Sequence, residues 1–208
     1  MPVIIRDVRE HELESVVTLN NQAGPTILQM DAVGMRWFGD NARYFRVAEV
    51  DGQLAGFLLG ITHGADYDSP NYRWFAQRYP EFAYIDRIVV ARPYRGLGLG
   101  RLFYADMTSF AETRVPLLTC EVFLEPRDDV SLLFHGTYGF QEVGQQMMAA
   151  VNRRVSLLAK NLPSFAFVRE TYLDVPPHRL PDVPWLAERS HATPDASTTA
   201  SQQGTVIS

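Results

Sequence analysis

The sequence has little of what marks secreted or membrane-spanning proteins. It contains one cysteine, Cys120, so no disulfide can form within the chain, and a reducing compartment is expected. No run of about 20 apolar residues is present, so no membrane-spanning segment is expected. The first residues lack the basic and apolar segments of a secretion signal. These observations predict a cytoplasmic protein with no membrane partner.

Basic charge is also scarce. The net charge is -5, and Lys160 is the only lysine. A protein that binds nucleic acid through its phosphates usually carries a basic surplus, so nucleic acid is not an expected partner. The five histidines lack the spacing of metal ligands, which predicts no metal site. The absence of a G-x-S-x-G motif excludes an α/β-hydrolase.

Apolar residues make up 46% of the chain, which is enough for a substantial core. Their spacing alternates between strand-like and helix-like segments, which predicts an α/β or α+β sheet protein. An Asp-Gly turn at 51–52 predicts a hairpin. The aromatic-rich segment 64–82 is expected to be a long loop, either with a functional role or as a lid over the core. Strands are predicted near 3–8, 44–50, 54–62, 82–91, 117–124, 141–151 and 154–159, and helices near 11–23, 31–38, 101–113 and 129–138.

Composition also suggests where the main domain ends. Residues 1–164 are expected to form one domain. Residues 165–189 combine several prolines with large aromatic side chains, and we expect them to pack on the body or on a second subunit, which leaves a homodimer open. Residues 190–208 are rich in Ser, Thr, Ala and Gln, a composition typical of a disordered tail.

A glycine-rich segment, Arg95-Gly96-Leu97-Gly98-Leu99-Gly100-Arg101, follows an apolar strand and precedes an amphipathic helix. Such a turn forms an anion site, because its N–H groups converge at the positive end of the helix dipole. Glycine allows positive φ angles and leaves room for a phosphate. The spacing fits neither G-x-G-x-x-G, since the sixth position counted from Gly96 is Arg101, nor G-x-x-x-x-G-K-[ST], since no lysine is present here.

The pattern Arg95-x-x-Gly98-x-Gly100 resembles the pyrophosphate loop of the GNAT acetyltransferases. Phe134-His135-x-x-x-Gly139-Phe140 is similar to a second motif of that family, which commonly reads Phe-Tyr-x-x-x-Gly-Phe, and the order of elements agrees over roughly 3–160. Segments 84–90 and 155–160 resemble a bacterial subgroup of predicted acetyltransferases without a named substrate. The resemblance implies a mixed, mostly antiparallel sheet that is splayed between its fourth and fifth strands and flanked by helices. It also implies acetyl-coenzyme A as co-substrate.

By this resemblance, the backbone amides of about 97–102 bind the pyrophosphate, and the free edge of the fourth strand pairs with the pantetheine arm. Asp128 stands where family members often have an asparagine, so it can cap the helix but lacks an amide that could donate to the coenzyme. The expected coenzyme contacts are Ile88, Val89, Val90, Arg95, Gly96, Leu97, Gly98, Leu99, Gly100, Arg101, Asp128 and His135.

Acetyl transfer to an alkyl ammonium with a pKa near ~10.4 requires a base, because the protonated nitrogen has no lone pair. Asp86 and Glu121 are the candidate bases, since each interrupts an apolar strand beside the expected splay. Arg87 is expected on the opposite strand face from Asp86. His135 stands where the family often has a tyrosine that protonates the leaving thiolate, and Tyr138 is the second candidate acid.

Four residues, Asn20, Tyr72, Trp74 and Tyr84, are candidates for binding the substrate, because aromatic rings can receive an amine by cation–π contact. They fit a core equally well. The predicted reaction is direct attack of a small-molecule primary amine in a ternary complex. Two alternatives stay open: a non-catalytic acyl-coenzyme A sensor, and a protein or peptide N-acetyltransferase, which would need an open groove.

Overall fold

A computed structural model describes residues 2–125 and 127–181. Its centre is one seven-stranded sheet, in which β4 runs parallel to β5 and the other neighbours are antiparallel. The order across the sheet is β1-β2-β3-β4-β5-β7-β6. The strands are β1 Val3–Asp7, β2 Tyr44–Val50, β3 Gln53–Thr62, β4 Ala83–Val90, β5 Leu117–Phe123, β6 Gln141–Met148 and β7 Arg153–Asn161. The expected mixed, mostly antiparallel sheet is confirmed.

The β2–β3 hairpin forms where the sequence predicts it. Asp51 and Gly52 both have positive φ angles, 48° and 78°, as a two-residue turn of this twist requires. Val50 then pairs with Gln53 directly across the turn. This local turn sets the pairing at the start of the hairpin, and a bulge between Ala48 and Glu49 shifts the register beyond it.

Helices cover both faces of the sheet. They are α1 Leu13–Gln22, α2 Ala32–Asn41, α3 Pro70–Ala76, α4 Leu99–Ala111, α5 Asp129–Thr137 and α6 Ser164–Val168. One core lies under α4 and includes Phe103 and Met107, and the other lies under α1 and α2 and includes Val16 and Phe38. Within the described residues, no helix is long and apolar enough to cross a bilayer.

β4 and β5 separate along their length. They pair only at Ala83–Leu118, Tyr84–Thr119 and Ile85–Cys120, although β4 continues to Val90 and β5 to Phe123. Beyond the last pair the two strands diverge, which confirms the expected splay. The divergence opens a wedge-shaped space in the sheet, and its apex lies at Ile85 and Cys120.

Two boundary predictions differ from the structure. The segment 64–82 is not a continuous loop, because Pro70–Ala76 form α3, with Ser69 as N-cap and Pro70 in the first turn. That pair is a recognised helix start. β6 ends at Met148 instead of continuing to 151, because the chain turns there and Asn152 has a φ of 48°.

The segment after the sheet is described as far as residue 181. α6 inserts Phe165, which is buried, and Arg169 pairs with Glu81 on the body. The rest of the predicted extension 165–189 and the predicted disordered tail 190–208 lie outside the described residues.

Candidate active site

A cavity of about 700 Å³ occupies the wedge between β4 and β5. Its walls combine the diverging strands, the glycine-rich loop with the start of α4, one face of α5 and the segment after α1. The glycine loop lies at one end. The two strand carboxylates, Asp86 on β4 and Glu121 on β5, come directly after the last paired residues, and both line the cavity.

The glycine loop presents a row of free amides. Gly96 and Gly98 have φ angles of 81° and 80°, which an L side chain rarely adopts, and a Cβ at either position would meet no atom within 4 Å. Within the described residues, no backbone hydrogen bond from the amides of 96–101 is present, whereas the amide of Leu102 donates to the Gly98 carbonyl. The backbone amides that are available to bind an anion are therefore those of 96–101, one residue earlier than expected. They lie at the positive end of α4. It fits a diphosphate.

The edge of β4 that faces the cavity also carries free backbone groups. The amide of Ala91 donates to the Ala55 carbonyl on β3. Because alternate residues of a strand direct their N–H and C=O to opposite sides, those of Ile88 and Val90 face the side that β5 has left. The Val90 carbonyl accepts from Arg95 Nε at 3.1 Å, so Ile88 and the Val90 amide offer the available pairing groups.

Asp128 and α5 form the wall opposite β4. The Asp128 carboxylate accepts from the amide of Ser131 at 2.9 Å, as an N-cap does. Gly100 allows α4 and α5 to approach closely, since a Cβ there would lie 3.1 Å from the ring of Phe134. Asp128, Phe134 and Tyr138 all line the cavity.

His135 is buried, 4% exposed, and lines the cavity. Its Nδ1 lies 2.7 Å from the Ser131 carbonyl oxygen, an acceptor, so Nδ1 carries the proton. Burial lowers the pKa of His135 from its ordinary value, and the ring is therefore neutral at pH 7. A neutral ring with a protonated Nδ1 has a lone pair on Nε2 and no proton to give there. This geometry favours an acceptor at Nε2, unlike the proton donor expected from the sequence.

Glu121 lies at the apex of the wedge and lines the cavity. Its Oε2 accepts from the Tyr84 hydroxyl at 2.5 Å. Burial and the nearby charge of Asp86 raise the pKa of Glu121 to about 7, against a lowering by Tyr84, Asn71 and Arg87. Glu121 is half-buried and lines the cavity, and burial disfavours its charged form. A carboxylate with this pKa can take up and release a proton near neutral pH.

Asp86 is engaged differently. Its Oδ1 accepts from the Tyr67 hydroxyl at 2.5 Å, and its Oδ2 accepts from Arg87 Nε at 2.7 Å. The expectation that Asp86 and Arg87 cannot share a strand face is wrong. The register shifts here, since Leu59 pairs with Arg87 and Gly60 with Ile85, so Asp86 is the extra residue of a β-bulge.

Arg87 extends this network to the first helix. Its Nη1 donates to Asn20 Oδ1 at 2.7 Å and to the Leu28 carbonyl at 3.2 Å. The segment after α1, including Thr26 and Leu28, thereby becomes part of the cavity wall. Asp86 thus serves to hold Arg87 and Tyr67 in position.

The four predicted substrate residues do not line the cavity, and two of them, Asn20 and Tyr84, support its wall from behind. Asn20 bonds Arg87, and Tyr84 bonds Glu121, while Tyr72 donates to the Thr62 carbonyl and Trp74 packs against Gly144. Several residues of the wall were not foreseen. These include Thr26, Leu28, Tyr67, Ser69, Arg87, Phe123 and Met148.

A hydrogen bond ties the segment after α1 to the start of β7 beside the cavity wall. Arg153, at the start of β7, donates from Nη1 to the Pro25 carbonyl at 2.6 Å, and its guanidinium lies 5.3 Å from the ring centre of Phe123. Pro25 belongs to the segment after α1, so the bridge joins that segment to the β6–β7 turn. The bridge lies next to two residues of the cavity wall, because Thr26 follows Pro25 and Arg153 lies beside Phe123.

Comparison with known proteins gives one family. The profile described as acetyltransferase (GNAT) family matches residues 7–140. A comparison with curated proteins finds no match.

Solved structures share the fold at low identity. Ard1 from Thermoplasma volcanium is 16% identical, with a TM-score of 0.64 over 78% of this chain and 99% of that one. A protein assigned as a phosphinothricin N-acetyltransferase is 21% identical, with a TM-score of 0.59 over 77% and 99%. Arabidopsis thaliana Naa50, in complex with the bisubstrate analogue CoA-Ac-MVNAL, is 17% identical, with a TM-score of 0.57 over 77% and 99%. These similarities show the fold.

Proposed function

This chain belongs to the GNAT acetyltransferase family and is an acetyl-coenzyme A-dependent N-acetyltransferase, and we propose that its acceptor is the primary amine of a small molecule. The observation that supports a small acceptor is the bridge from Arg153 to the Pro25 carbonyl beside Phe123, which ties the segment after α1 to β7 next to the cavity wall. An internal peptide segment needs an open groove, whereas a small amine can enter a pocket.

We assign the coenzyme to the free amides of 96–101 and the open edge of β4. The amides and the start of α4 would hold the pyrophosphate, and Arg101 adds a positive charge at the cavity wall. Ile88 and the Val90 amide would pair with the pantetheine arm, which directs the arm toward the apex of the wedge. When bound there, the coenzyme supplies an acetyl thioester, a carbonyl activated toward attack by an amine.

Glu121 is the base in this proposal. It lies at the apex, is poorly solvated, and has a pKa of about 7, so near neutral pH it can accept a proton from an ammonium directly or through a water. In its ionised form it also attracts the cationic acceptor into the cavity. Asp86 acts as a positioning residue, because both of its oxygens are engaged by Tyr67 and Arg87.

Backbone N–H groups on β4 near Ile88 provide donors for charge that develops on the thioester oxygen, as in other oxyanion holes. His135 is placed to accept through Nε2, and Tyr138, the residue that follows the last turn of α5, also lines the cavity. A thiol with a pKa near ~8.5 is a good leaving group, so donors around it contribute modestly.

Thiol release tests the proposal. Purified protein with acetyl-coenzyme A is mixed with three acceptor sets: small primary amines, peptides with free N-termini, and peptides with internal lysines and blocked ends. We expect thiol release with the small amines. With both peptide sets, kcat/KM should be at least about tenfold lower, because the transition state of a peptide acceptor should be bound about tenfold less tightly. Faster release with a peptide set would contradict the small acceptor. Tight coenzyme binding without release in any set would instead favour a sensor.

A further inference from the structure

The cavity borders both cores, so it passes through the sheet where β4 and β5 have separated. Successive residues of β5 face opposite sides: Val122 belongs to the core under α4, and Phe123 belongs to the core under α1 and α2. Both residues line the cavity. The glycine loop and α5 lie on the α4 side, to which the proposed function assigns the coenzyme. The other side is therefore left for the acceptor.

Large side chains with apolar bodies line the cavity on the side of α1 and α2. Each of them packs on the core of that side, and we call the space that they border the acceptor half. They are Leu28, Tyr67, Phe123 and Met148.

Two of these residues border Asp86 and its partner Arg87. The Tyr67 hydroxyl donates to Asp86 Oδ1 at 2.5 Å. The Leu28 carbonyl accepts from Arg87 Nη1 at 3.2 Å, which holds the segment after α1 against β4. The acceptor half therefore begins directly at the charged pair on β4.

The other two residues border Glu121 on β5. Phe123 is the second residue after Glu121, so both side chains leave the same face of the strand. Asn71 connects Met148 to the carboxylate, because its Nδ2 lies 3.4 Å from Met148 Sδ and its side chain also hydrogen-bonds Glu121. An amine held at Glu121 thus has apolar side chains on both sides of its substituent.

The charges of the acceptor half are unbalanced in one direction. Arg87 and Asp86 neutralise each other across 2.7 Å, whereas Glu121 has no cation in direct contact among the described residues. The other arginines that line the described cavity, Arg95 and Arg101, belong to the glycine-rich segment. An ammonium can therefore pair with Glu121, but a carboxylate on the acceptor would meet no unpaired cation in this part of the described structure.

We propose that the acceptor is a monoamine with an apolar alkyl or aryl body, and that it carries neither an acidic group nor a second cation. The inference rests on the proposed function and names its substrate class. The ammonium approaches Glu121, and the body lies against Leu28, Phe123 and Met148. Each methylene buried there improves binding by about threefold, whereas a second charged group loses its hydration without gaining a partner.

A set of amines of matched length tests this in wild type. Butylamine, 4-aminobutanoate and butane-1,4-diamine share four carbons and differ only at the far end, which is apolar, anionic or cationic. In the thiol-release assay, we expect kcat/KM to be at least about tenfold lower for each compound with a charged far end than for butylamine. Hexylamine should exceed butylamine by about tenfold, because it buries two more methylenes. Kd values from NMR titrations in the presence of coenzyme A should follow the same order.

A charge introduced by mutation should change the preference. Met148→Lys places a cation in the acceptor half and should raise kcat/KM for 4-aminobutanoate, relative to butylamine, by at least about tenfold. Met147→Lys is the matched control, because Met147 is the preceding residue of β6, is exposed and does not line the cavity. It should keep the wild-type ratio. If Met148→Lys does not fold, the wild-type series decides the question alone.

Several results would overturn the inference. They are a kcat/KM for 4-aminobutanoate or for the diamine that equals or exceeds that of butylamine, thiol release with other small amines but with none of this set, and the same change of ratio in both lysine variants. Each of these refutes only the apolar acceptor, provided that small amines still react faster than peptides. Thiol release with peptides and with no small amine would instead count against the proposed function.

Discussion

Replacing Glu121 by glutamine is expected to stabilise the protein and inactivate it. Glutamine has the same shape, and its amide oxygen can still accept from Tyr84. It cannot take a proton from an ammonium, so kcat should fall by about 10²–10⁴-fold, the usual contribution of a general base. The gain in stability has a separate cause, because the variant no longer places a poorly solvated charge beside Asp86.

The size of that gain follows from the pKa of Glu121, which folding raises from 4.5 to about 7. Between these values the folded protein binds a proton that the unfolded chain has lost, so the wild-type free energy of unfolding falls as pH rises. The loss is complete above about pH 7 and amounts to roughly 3 kcal/mol. Glu121→Gln lacks this loss. The free energy of unfolding of this variant should match that of wild type near pH 4.5 and exceed it by up to about 3 kcal/mol at pH 8.

Denaturant unfolding at pH 5 and pH 8 measures the free energies, and kcat/KM for one amine from pH 5.5 to 9 measures the catalytic part. Wild-type kcat/KM should rise through a step near pH 7 as Glu121 ionises. Glu121→Gln should lack that step and keep only the gradual rise that comes from deprotonation of the amine itself, with a pKa near ~10.4.

Glu142→Gln is the matched control, since Glu142 is exposed on β6 and accepts from Ser156 at 2.5 Å outside the cavity. It should behave like wild type in the kinetic assay. Wild-type activity in Glu121→Gln would refute the role of Glu121 as the general base. A stability difference between Glu121→Gln and wild type that stays constant between pH 5 and pH 8 would refute the raised pKa.

Three other changes test other parts of the site. Gly98→Glu should weaken coenzyme binding by at least about 100-fold in calorimetry, because it places a like charge and a strained φ at the pyrophosphate loop; an affinity within about twofold of wild type would exclude the loop, and Gly98→Ala separates strain from charge. His135→Ala should lower kcat by about tenfold with little change in coenzyme Kd, whereas full activity would make His135 a packing residue. Arg153→Ala should remove the bridge to Pro25 and raise kcat/KM for bulkier amines relative to small ones by about tenfold, and an unchanged ratio would show that the bridge does not limit acceptor size.

The sequence was most informative where a feature is local. The glycine loop, the Asp-Gly hairpin and the cap at Asp128 each depend on residues within a few positions of one another, and all three form as expected. The cavity wall was harder to predict, because it joins segments that are distant along the chain. Thr26 lines the wall because the first helix is tied by Asn20 to Arg87, 67 residues away. No spacing rule within one sequence predicts that contact.

The bulge at Asp86 is the sharpest example of a tertiary effect. Strand alternation, applied strictly, separates Asp86 from Arg87 and leaves two free carboxylates as equal candidates for the base. One extra residue in β4 reverses this, because it turns Arg87 back onto Asp86 and satisfies one carboxylate. Among the described residues, no cation is in direct contact with Glu121, and burial together with the charge of Asp86 raises its pKa to about 7. The two carboxylates therefore differ in role because of a single irregularity of the backbone: the paired one shapes the wall, and the unpaired one can exchange a proton near neutral pH.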